Sequence, residues 1–154
     1  MKIMEFLDKR GIKIGVESTE KEDVLKEMVE VLAGVKDIGD KKGILKALID
    51  RENLGSTGIG QGIAIPHGKT DRVGGLVAVL GISQKGINFE ALDGELVYII
   101  FLLVAPKETA GPHLKALAQI SRLLRDPYFC ELMRRCKSSE EVYELIRKEE
   151  EKKH

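Results

Sequence analysis

LGSTGIGQGIAIPHGKT, residues 54–70, is the stretch around which the rest of this sequence is organised. Its glycines give a backbone that turns freely and leaves N–H groups unhindered, as a bound anion requires. The apolar run at 63–65 has the length of a buried strand, and Pro66 ends it. His67 follows at once, so the pattern predicts an imidazole at the tip of a strand, beside a loop of free amides. Such a group suits nucleophilic work on phosphorus, because neutral imidazole is available near physiological pH.

Upstream of this stretch, the sequence predicts one strand and two helices. Apolar residues at 12, 14 and 16 alternate with polar ones or glycine, which is typical of a half-buried strand. Thr19 and Glu22 form a capping-box pattern that predicts the start of a helix, with Gly34 as its C-cap. Asp40 is predicted to cap a second helix, which ends near Arg51, directly before the glycines.

Downstream, the sequence predicts strands and then helices. The apolar run at 76–82 is typical of a strand covered on both faces. Asp93-Gly94 predicts a hairpin turn between a strand at 89–92 and a long apolar strand at 96–104. Gly111-Pro112 predicts a helix start with proline at the first helical position and His113 in the first turn. The predicted inner face of that helix carries Leu114, Leu117, Ser121 and Leu124.

Two further helices complete the prediction, one begun by Asp126-Pro127 and one by the capping box of Ser138 and Glu141. Helices and strands interleave, which predicts an α/β class. We expect a single domain, residues 1–148, built on a mixed parallel/antiparallel β-sheet flanked by helices on both sides. Residues 149–154 are predicted to form a solvated C-terminal tail.

Composition excludes several classes of function. The 25 basic and 25 acidic residues balance, so no basic face indicates nucleic acid. The longest apolar run, residues 96–105, is far shorter than the roughly 20 residues of a membrane span, so no direct membrane insertion is expected. Cys130 and Cys136 lack the spacing of a disulfide or zinc framework and fit a reduced compartment, so we expect a cytoplasmic protein.

Two nucleotide-binding patterns fail on inspection. The glycines at 58, 60 and 62 lack the GxGxxG spacing, and a strand follows where a helix should begin. Gly68-Lys69-Thr70 resembles the end of a P-loop, but Ile63 stands where the first glycine would have to be. A zinc site built from His67 and His113 would need further ligands that the cysteines do not offer. We therefore expect no metal and no cofactor.

Three residues are candidates for phosphate chemistry, and each has a plain structural alternative. His67 could be a buried histidine bonded to a carbonyl, but the flanking glycines leave it open to a partner. His113 could simply cap its helix. A helix N-terminus disfavours a positive imidazole and attracts an anion, so a neutral His113 could donate one N–H to phosphate. Arg51 could be a solvated residue or could direct two N–H groups onto phosphate oxygens.

These residues resemble a known family. Arg51-Glu52 followed by GSTGIGQGIAIPHGK is similar to the signature of the fructose/mannitol-type IIA domain of the bacterial phosphoenolpyruvate:sugar phosphotransferase system. The similarity covers residues 3–146 and includes NFEALDG, Pro106 and HLKALAQISRLL. It implies that His67 is phosphorylated on Nε2, with His113 as the second active-site histidine and Arg51 as the arginine before the glycines. The expected phosphate loop comprises Ser56, Thr57, Gly58, Gly60 and Gly68.

The resemblance also implies partners. A phosphohistidine carrier protein would donate the phosphoryl group to His67, and a cysteine of a IIB domain or protein would accept it. In-line transfer of this kind needs positioning and charge stabilisation more than covalent help, and no cofactor. An association with a membrane IIC transporter through IIB stays open, as does whether the chain is a stand-alone protein or part of a longer one.

Nitrogen-regulatory IIA proteins share GSTGIG and AIPHGK, so a second function stays open: a phosphorylation-switched binding module without sugar transport. Both interpretations predict phosphorylation of His67. Residues 86–94 and the intact HLKALAQISRLL favour the sugar-transport interpretation, and the sugar itself cannot be identified from the sequence.

Overall fold

The computed structural model describes residues 1–108 and 110–152. A short 3₁₀ helix at Ile3–Glu5 precedes the first strand. The strands are β1 (Leu7–Ile14), β2 (Gly58–Gly60), β3 (Ile63–Ala64), β4 (His67–Lys69), β5 (Val77–Ile87) and β6 (Val97–Ala105). The helices are α1 (Lys21–Val35), α2 (Lys41–Asn53), α3 (Ala110–Leu124), α4 (Pro127–Arg135) and α5 (Ser139–Lys152).

One mixed sheet lies at the centre of the molecule. Its strands run in the order β1-β5-β6-β3-β2, and β4 also pairs with β6. Three pairings are parallel: β1 with β5, β3 with β6 and β4 with β6. The pairings of β5 with β6 and of β2 with β3 are antiparallel. The predicted mixed sheet and single α/β domain are therefore confirmed.

The sheet separates two hydrophobic cores, because alternate side chains of a strand point to opposite faces. On β6, Ile99, Phe101 and Leu103 pack with α3, α4 and α5. The intervening Ile100 and Leu102 pack with α1 and α2. Helices thus cover both faces, as the uninterrupted apolar strands predict.

β3 and β4 are two parts of one strand. Ile63 lies opposite Ile99 and His67 lies opposite Leu103, so both parts keep the same register along β6. Pro66 has no N–H to contribute to the ladder, but its carbonyl still accepts the N–H of Leu103 at 2.9 Å. Pro66 therefore interrupts the strand rather than ending it, and His67 begins β4 instead of standing at the tip of β3.

Local capping signals are confirmed at three helices. The side chain of Asp40 accepts the N–H of Gly43, Asp126 accepts that of Tyr128, and Ser138 accepts that of Glu141. The capping box predicted at Thr19 is wrong. The Thr19 carbonyl accepts the N–H of Asn88 at 2.8 Å and Glu20 forms a β-bridge with Asn88, so α1 begins only at Lys21.

The ends of three other predicted elements are also corrected. Gly34 is not a C-cap, because α1 continues to Val35 and the left-handed glycine between α1 and α2 is Gly39, with φ 62°. Residues 89–92 do not form a strand. They belong to the connection between β5 and β6, which contains the predicted Asp93-Gly94 turn. Pro112 is the third residue of α3 as described, not the first.

The buried face of α3 differs from the predicted one by about one residue. The buried side chains are those of His113, Ala116, Ile120, Leu123 and Leu124, whereas Leu114 is 65% exposed. The helix sequence carries two adjacent apolar stripes, and periodicity alone does not choose between them. The stripe that faces inward is the one that contains His113.

Residues 149–152 of the predicted solvated tail continue α5, and within them Glu150 is the exception to solvation, whereas Glu151 and Lys152 are exposed. Glu150 is buried, and its Oε2 accepts the N–H of Ile3 at 2.8 Å and an N–H of Gln119 at 3.4 Å. These donors satisfy Oε2, whereas Oε1 is buried without a hydrogen-bond partner among the described residues. Residues 153 and 154, the remainder of the predicted tail, lie outside the described residues.

Gly58 provides a test of the packing around the glycine stretch. A Cβ at Gly58 would lie 2.9 Å from both Cα and Cβ of Ala91, whereas a Cβ at Gly34 would have no atom within 4 Å. We expect Gly58→Ala to lower the free energy of unfolding by about 1–3 kcal/mol because backbone must move. The matched control Gly34→Ala should raise it by roughly 0.5–1 kcal/mol. Urea denaturation of both variants measures the difference, and equal effects would contradict the close approach at Gly58.

Candidate functional site

His67 stands at the start of β4 with one ring nitrogen already engaged. Its Nδ1 lies 2.8 Å from the carbonyl oxygen of Ile65. A carbonyl can only accept, so Nδ1 carries the proton and Nε2 keeps its lone pair in the neutral ring. The backbone thereby leaves Nε2 as the ring nitrogen with a free lone pair.

The second predicted histidine lies beside the first. The ring centroids of His67 and His113 are 5.6 Å apart, with the planes tilted by 53°. His113 is only 4% exposed, and among the described residues its Nδ1 has no hydrogen-bond partner. Residues 46 positions apart in the sequence are thus brought together by β4 and α3.

Both imidazoles are held in the neutral form. Burial lowers the pKa of His67 below its ordinary value of 6.5, and the positive charge of Arg51 lowers it further. The hydrogen bond to Ile65 and the negative charge of Glu52 act in the opposite direction. Burial lowers the pKa of His113 to about 4, and the unfavourable placement of a second positive charge near His67 and Lys69 adds to the effect. Neutral rings are the form that a nucleophile and a neutral hydrogen-bond donor require.

Arg51 lies in the last turn of α2, where it was predicted. Its Nη1 donates to the carbonyl oxygen of Gly55 at 3.0 Å, which ties the guanidinium to the start of the glycine stretch. A guanidinium has five N–H donors, so this bond leaves others for an anion. Its effect on the pKa of His67 places its charge within electrostatic range of that ring.

The predicted phosphate loop is only partly suited to that role. The N–H of Thr57 donates to Glu52 Oε1 at 3.1 Å, and the N–H of Gly58 donates to Ser56 Oγ at 3.0 Å. The Ser56 hydroxyl donates in turn to the carbonyl of Phe89 at 3.3 Å. The expectation of free amides is therefore wrong at Thr57 and Gly58, because both donors hold the loop in shape.

The other two predicted loop glycines lie in different places. Gly60 pairs with Ile63, which is four strand residues and hence about 13 Å from His67 along the same register. Its φ of 100° serves the tight β2–β3 hairpin. Gly68 follows His67 in β4, and a Cβ there would lie 3.4 Å from the backbone of Ala47 in α2. The structure thus separates Gly60 from the histidine pair and keeps Gly68 next to it.

Sequence reasoning missed Glu52, which is 6% exposed and lies next to Arg51. Its carboxylate accepts the N–H and the hydroxyl of Thr57 and forms an ion pair with Lys21 at 3.1 Å. A signal was available: Ile44, Leu48 and Glu52 are spaced four residues apart, so Glu52 continues the buried stripe of α2. An acidic residue in that stripe must have buried donors around it.

Within residues 1–108 and 110–152, no group of three or more His, Cys, Asp and Glu side chains could hold a metal ion. Over the same residues, no helix is both long enough and apolar enough to cross a bilayer.

A mixed sheet between two helical layers, with paired neutral histidines beside an arginine, defines a class of α/β domain built around a two-histidine site. The model of the family described as phosphoenolpyruvate-dependent sugar phosphotransferase system, EIIA 2, matches residues 5–149. The chain belongs to this family, which confirms the resemblance inferred from the sequence.

Relatives of two kinds are similar to this chain. The fructose-specific EIIABC component of the phosphotransferase system from Bacillus subtilis is 38% identical over 146 residues, which are 95% of this chain and 23% of that protein. The chain thus spans less than a quarter of the length of this relative. The crystal structure of nitrogen regulatory protein IIA-Ntr from Neisseria meningitidis superposes with a TM-score of 0.86 at 29% identity, covering 94% of this chain and 98% of that one.

A second similar structure contains a partner. It is described as a complex of enzyme IIA-mannitol and phosphorylated enzyme IIB-mannitol from Escherichia coli. The superposition has a TM-score of 0.74 at 23% identity and covers 92% of this chain and 98% of that one. At this identity the similarity establishes the fold alone.

The neutral state of His113 makes stability depend on pH. The unfolded chain binds a proton on this residue near its ordinary pKa of 6.5, whereas the folded chain does so only at about 4. The unfolded state therefore binds more protons between these values, and the free energy of unfolding falls as the pH drops from 6.5 towards 4. We expect the variant His113→Asn to show a smaller fall over this interval in urea denaturation.

The pH interval separates this effect from the acid response of the carboxylates. The pKa of Glu27, for example, is lowered to about 2 from its ordinary 4.5, so its contribution is lost as the pH falls from 4.5 towards 2, mostly below the interval of His113. Identical pH profiles of the wild type and His113→Asn between pH 6.5 and 4 would contradict a buried neutral His113.

Proposed function

We propose that this chain is a phosphoryl-carrier IIA domain that accepts a phosphoryl group on Nε2 of His67 and passes it to a IIB cysteine. The observation that carries the proposal is the hydrogen bond from Nδ1 to the carbonyl of Ile65, because it leaves only Nε2 as a nucleophile. Membership of the phosphotransferase EIIA 2 family supports the reaction class.

The donor is a phosphohistidine carrier protein. The lone pair on His67 Nε2 attacks phosphorus, the new P–N bond forms, and the bond to the donor nitrogen breaks with its electron pair returning to the donor. The proton on Nδ1 of His67 stays in place, because Nδ1–H donates a hydrogen bond to the carbonyl of Ile65. Lowered pKa values matter at this step, because a protonated His67 has no lone pair to offer.

The acceptor is a cysteine thiolate of a IIB domain or protein. Its sulfur attacks phosphorus, the S–P bond forms, and the electron pair of the P–N bond returns to Nε2. The complex of mannitol IIA with phosphorylated mannitol IIB, whose IIA has the same fold, supports a partner of this kind. Association with a membrane IIC transporter would then occur through IIB.

Two neighbours stabilise the charge on the transferred group. Arg51 supplies a fixed positive charge and donors other than the one bonded to Gly55. His113 is neutral, and its Nδ1 has no hydrogen-bond partner among the described residues. Its proton can therefore lie on Nε2, from which it donates a hydrogen bond to a phosphoryl oxygen. Preorganised donors of this kind contribute through transition-state stabilisation and need no metal or cofactor.

The site assignment predicts labelling of a single histidine. Incubated with the phosphorylated carrier protein, the purified chain should acquire phosphate that is labile to acid and stable to alkali. ATP should not replace the donor, since the P-loop spacing is broken at Ile63. His67→Ala should not be labelled. His113→Ala should still be labelled at His67, about ten- to a hundredfold more slowly, since it loses a hydrogen bond made in the transition state. Full labelling of His67→Ala would overturn the assignment.

A second function is favoured by one observation, the superposition with nitrogen regulatory protein IIA-Ntr over 94% of this chain. In that alternative the phosphorylated site switches binding to regulatory partners, and no IIB cysteine accepts the group. The surface around His67 would then recognise a partner according to its phosphorylation state.

Transfer to IIB distinguishes the two functions. We expect the phosphorylated chain to lose its label when mixed with a fructose- or mannitol-type IIB protein, and the label to appear on the IIB cysteine. A IIB variant with serine at this cysteine is the control and should leave the label on His67. If phospho-His67 persisted with the unmodified IIB protein as well as with its serine variant, the result would favour the regulatory function instead.

A further inference from the structure

Glu52 is linked to the proposed nucleophile through a continuous series of hydrogen bonds. Its carboxylate accepts the N–H of Thr57 at 3.1 Å and also the Thr57 hydroxyl. The carbonyl of Thr57 accepts the N–H of Ile65 at 3.0 Å. The carbonyl of Ile65 then accepts from Nδ1 of His67 at 2.8 Å. Each bond thus holds a residue whose other backbone group makes the next bond of the series.

The cost of burying Glu52 argues against a merely stabilising role. A buried carboxylate loses its hydration, and an apolar side chain at such a position is often as stabilising or more so. The other buried residues of this stripe of α2 are apolar, so an apolar side chain would match the pattern at position 52. The residue at this position is nevertheless a glutamate. Only 3% of its side chain is exposed, and it forms an ion pair with Lys21.

Lys21 is itself placed at some cost. It is the first residue of α1, where the helix dipole disfavours a positive charge. Its side chain is only 15% exposed, and its Nζ lies 5.0 Å from the centre of the Phe89 ring as well as 3.1 Å from Glu52. Phe89 also accepts the Ser56 hydroxyl through its carbonyl, so the same residues hold the loop at 54–57 from both sides.

We propose that Glu52 is a positioning residue for His67: through Thr57 it holds the carbonyl of Ile65 where that carbonyl fixes the proton of the ring on Nδ1. The inference rests on the proposed function, in which Nε2 must be the free nitrogen. Glu52 does not touch the transferred group. Its effect on transfer is exerted through the orientation and tautomer of the imidazole.

The test compares substitutions that keep or remove the acceptor. Glu52→Met removes every hydrogen bond of the carboxylate. Glu52→Gln keeps an oxygen for the Thr57 N–H and an amino group for the Thr57 hydroxyl oxygen. Both remove the negative charge that raises the pKa of His67, so both lower that pKa alike. A difference between the Met and Gln variants in the tautomer or the labelling rate of His67 therefore reports the positioning role of Glu52.

Two measurements on His67 give the result: its ring ¹⁵N chemical shifts, which report the tautomer, and its labelling rate by the phosphorylated carrier protein. In the wild type we expect neutral His67 with its proton on Nδ1. In Glu52→Met we expect a mixture of tautomers and labelling slowed roughly ten- to a hundredfold. Glu52→Gln should restore the wild-type tautomer and most of the rate.

Thr57→Val covers the case in which Glu52→Met fails to fold. It removes only the hydroxyl donor, keeps the side-chain volume, and leaves the ion pair of Glu52 with Lys21 in place. We expect it to shift the tautomer mixture and slow labelling in the same direction as Glu52→Met.

Glu150→Met is the matched control, because Glu150 is also 6% exposed and also accepts a backbone N–H, that of Ile3. It should lower the melting temperature while leaving the tautomer of His67 unchanged and labelling within about twofold of wild type, since distant sites act independently.

Unchanged tautomer and labelling in folded Thr57→Val and Glu52→Met would overturn the inference, as would equal effects of Met and Gln. Failure of the wild type to be labelled at His67 would instead overturn the proposed function. The ring shifts are measured without any donor protein, so the two failures are distinguishable.

Discussion

A single hydrogen bond, from Nδ1 of His67 to the carbonyl of Ile65, determines which ring nitrogen keeps its lone pair, and it depends on the edge of the strand that Ile65 faces. The residues before and after Pro66 pair with β6 in the same register. The carbonyl of Pro66 accepts the N–H of Leu103 in β6 at 2.9 Å, so the backbone groups of the neighbouring Ile65 point to the opposite edge of the strand. There the N–H of Ile65 donates to the carbonyl of Thr57, and the carbonyl of Ile65 accepts from the side chain of His67. The sheet thus fixes both the place of the imidazole and the nitrogen that remains free.

The site draws on both helical layers. α3 contributes His113 from the core formed with α4 and α5, while Arg51 and Glu52 come from α2 in the core on the opposite face of the sheet. The loop at 54–57 connects α2 to the sheet, and its polar atoms are largely used to hold its own shape. The charges and the geometry around His67 are therefore set by helices that pack on opposite faces of the same sheet.

Much of this arrangement was predictable from local sequence signals. The caps at Asp40, Asp126 and Ser138 involve neighbouring residues only, so they survive in the folded chain. Thr19 carries the same kind of signal, but its carbonyl is recruited by Asn88, a partner far away in the sequence. The buried face of α3 was unpredictable for a different reason. Two neighbouring apolar stripes satisfy the same periodicity, and tertiary packing selects between them.

For the candidate site, the structure brings two of the predicted residues together but uses the glycine stretch differently from the prediction. His67 and His113 are adjacent in the structure, as a shared role requires. The glycine stretch suggested free amides, whereas the N–H groups of Thr57 and Gly58 have internal acceptors. Those acceptors are side chains, and their conformations depend on burial that a linear pattern does not reveal. Glu52 is the clearest case, since its position in the apolar stripe of α2 is informative only once its donors are known.

The bond between Glu150 and the N–H of Ile3 has a consequence for how such a domain can be combined with others. It places residues near the two ends of the described chain side by side, on elements that do not carry His67, His113 or Arg51. A polypeptide entering at one end and leaving at the other would therefore pass through one small region of the surface. The domain can thus be connected to other domains at both ends through one region of its surface. Further polypeptide at both ends would leave the sheet undisturbed, and in one relative the matching region is 23% of the protein's length.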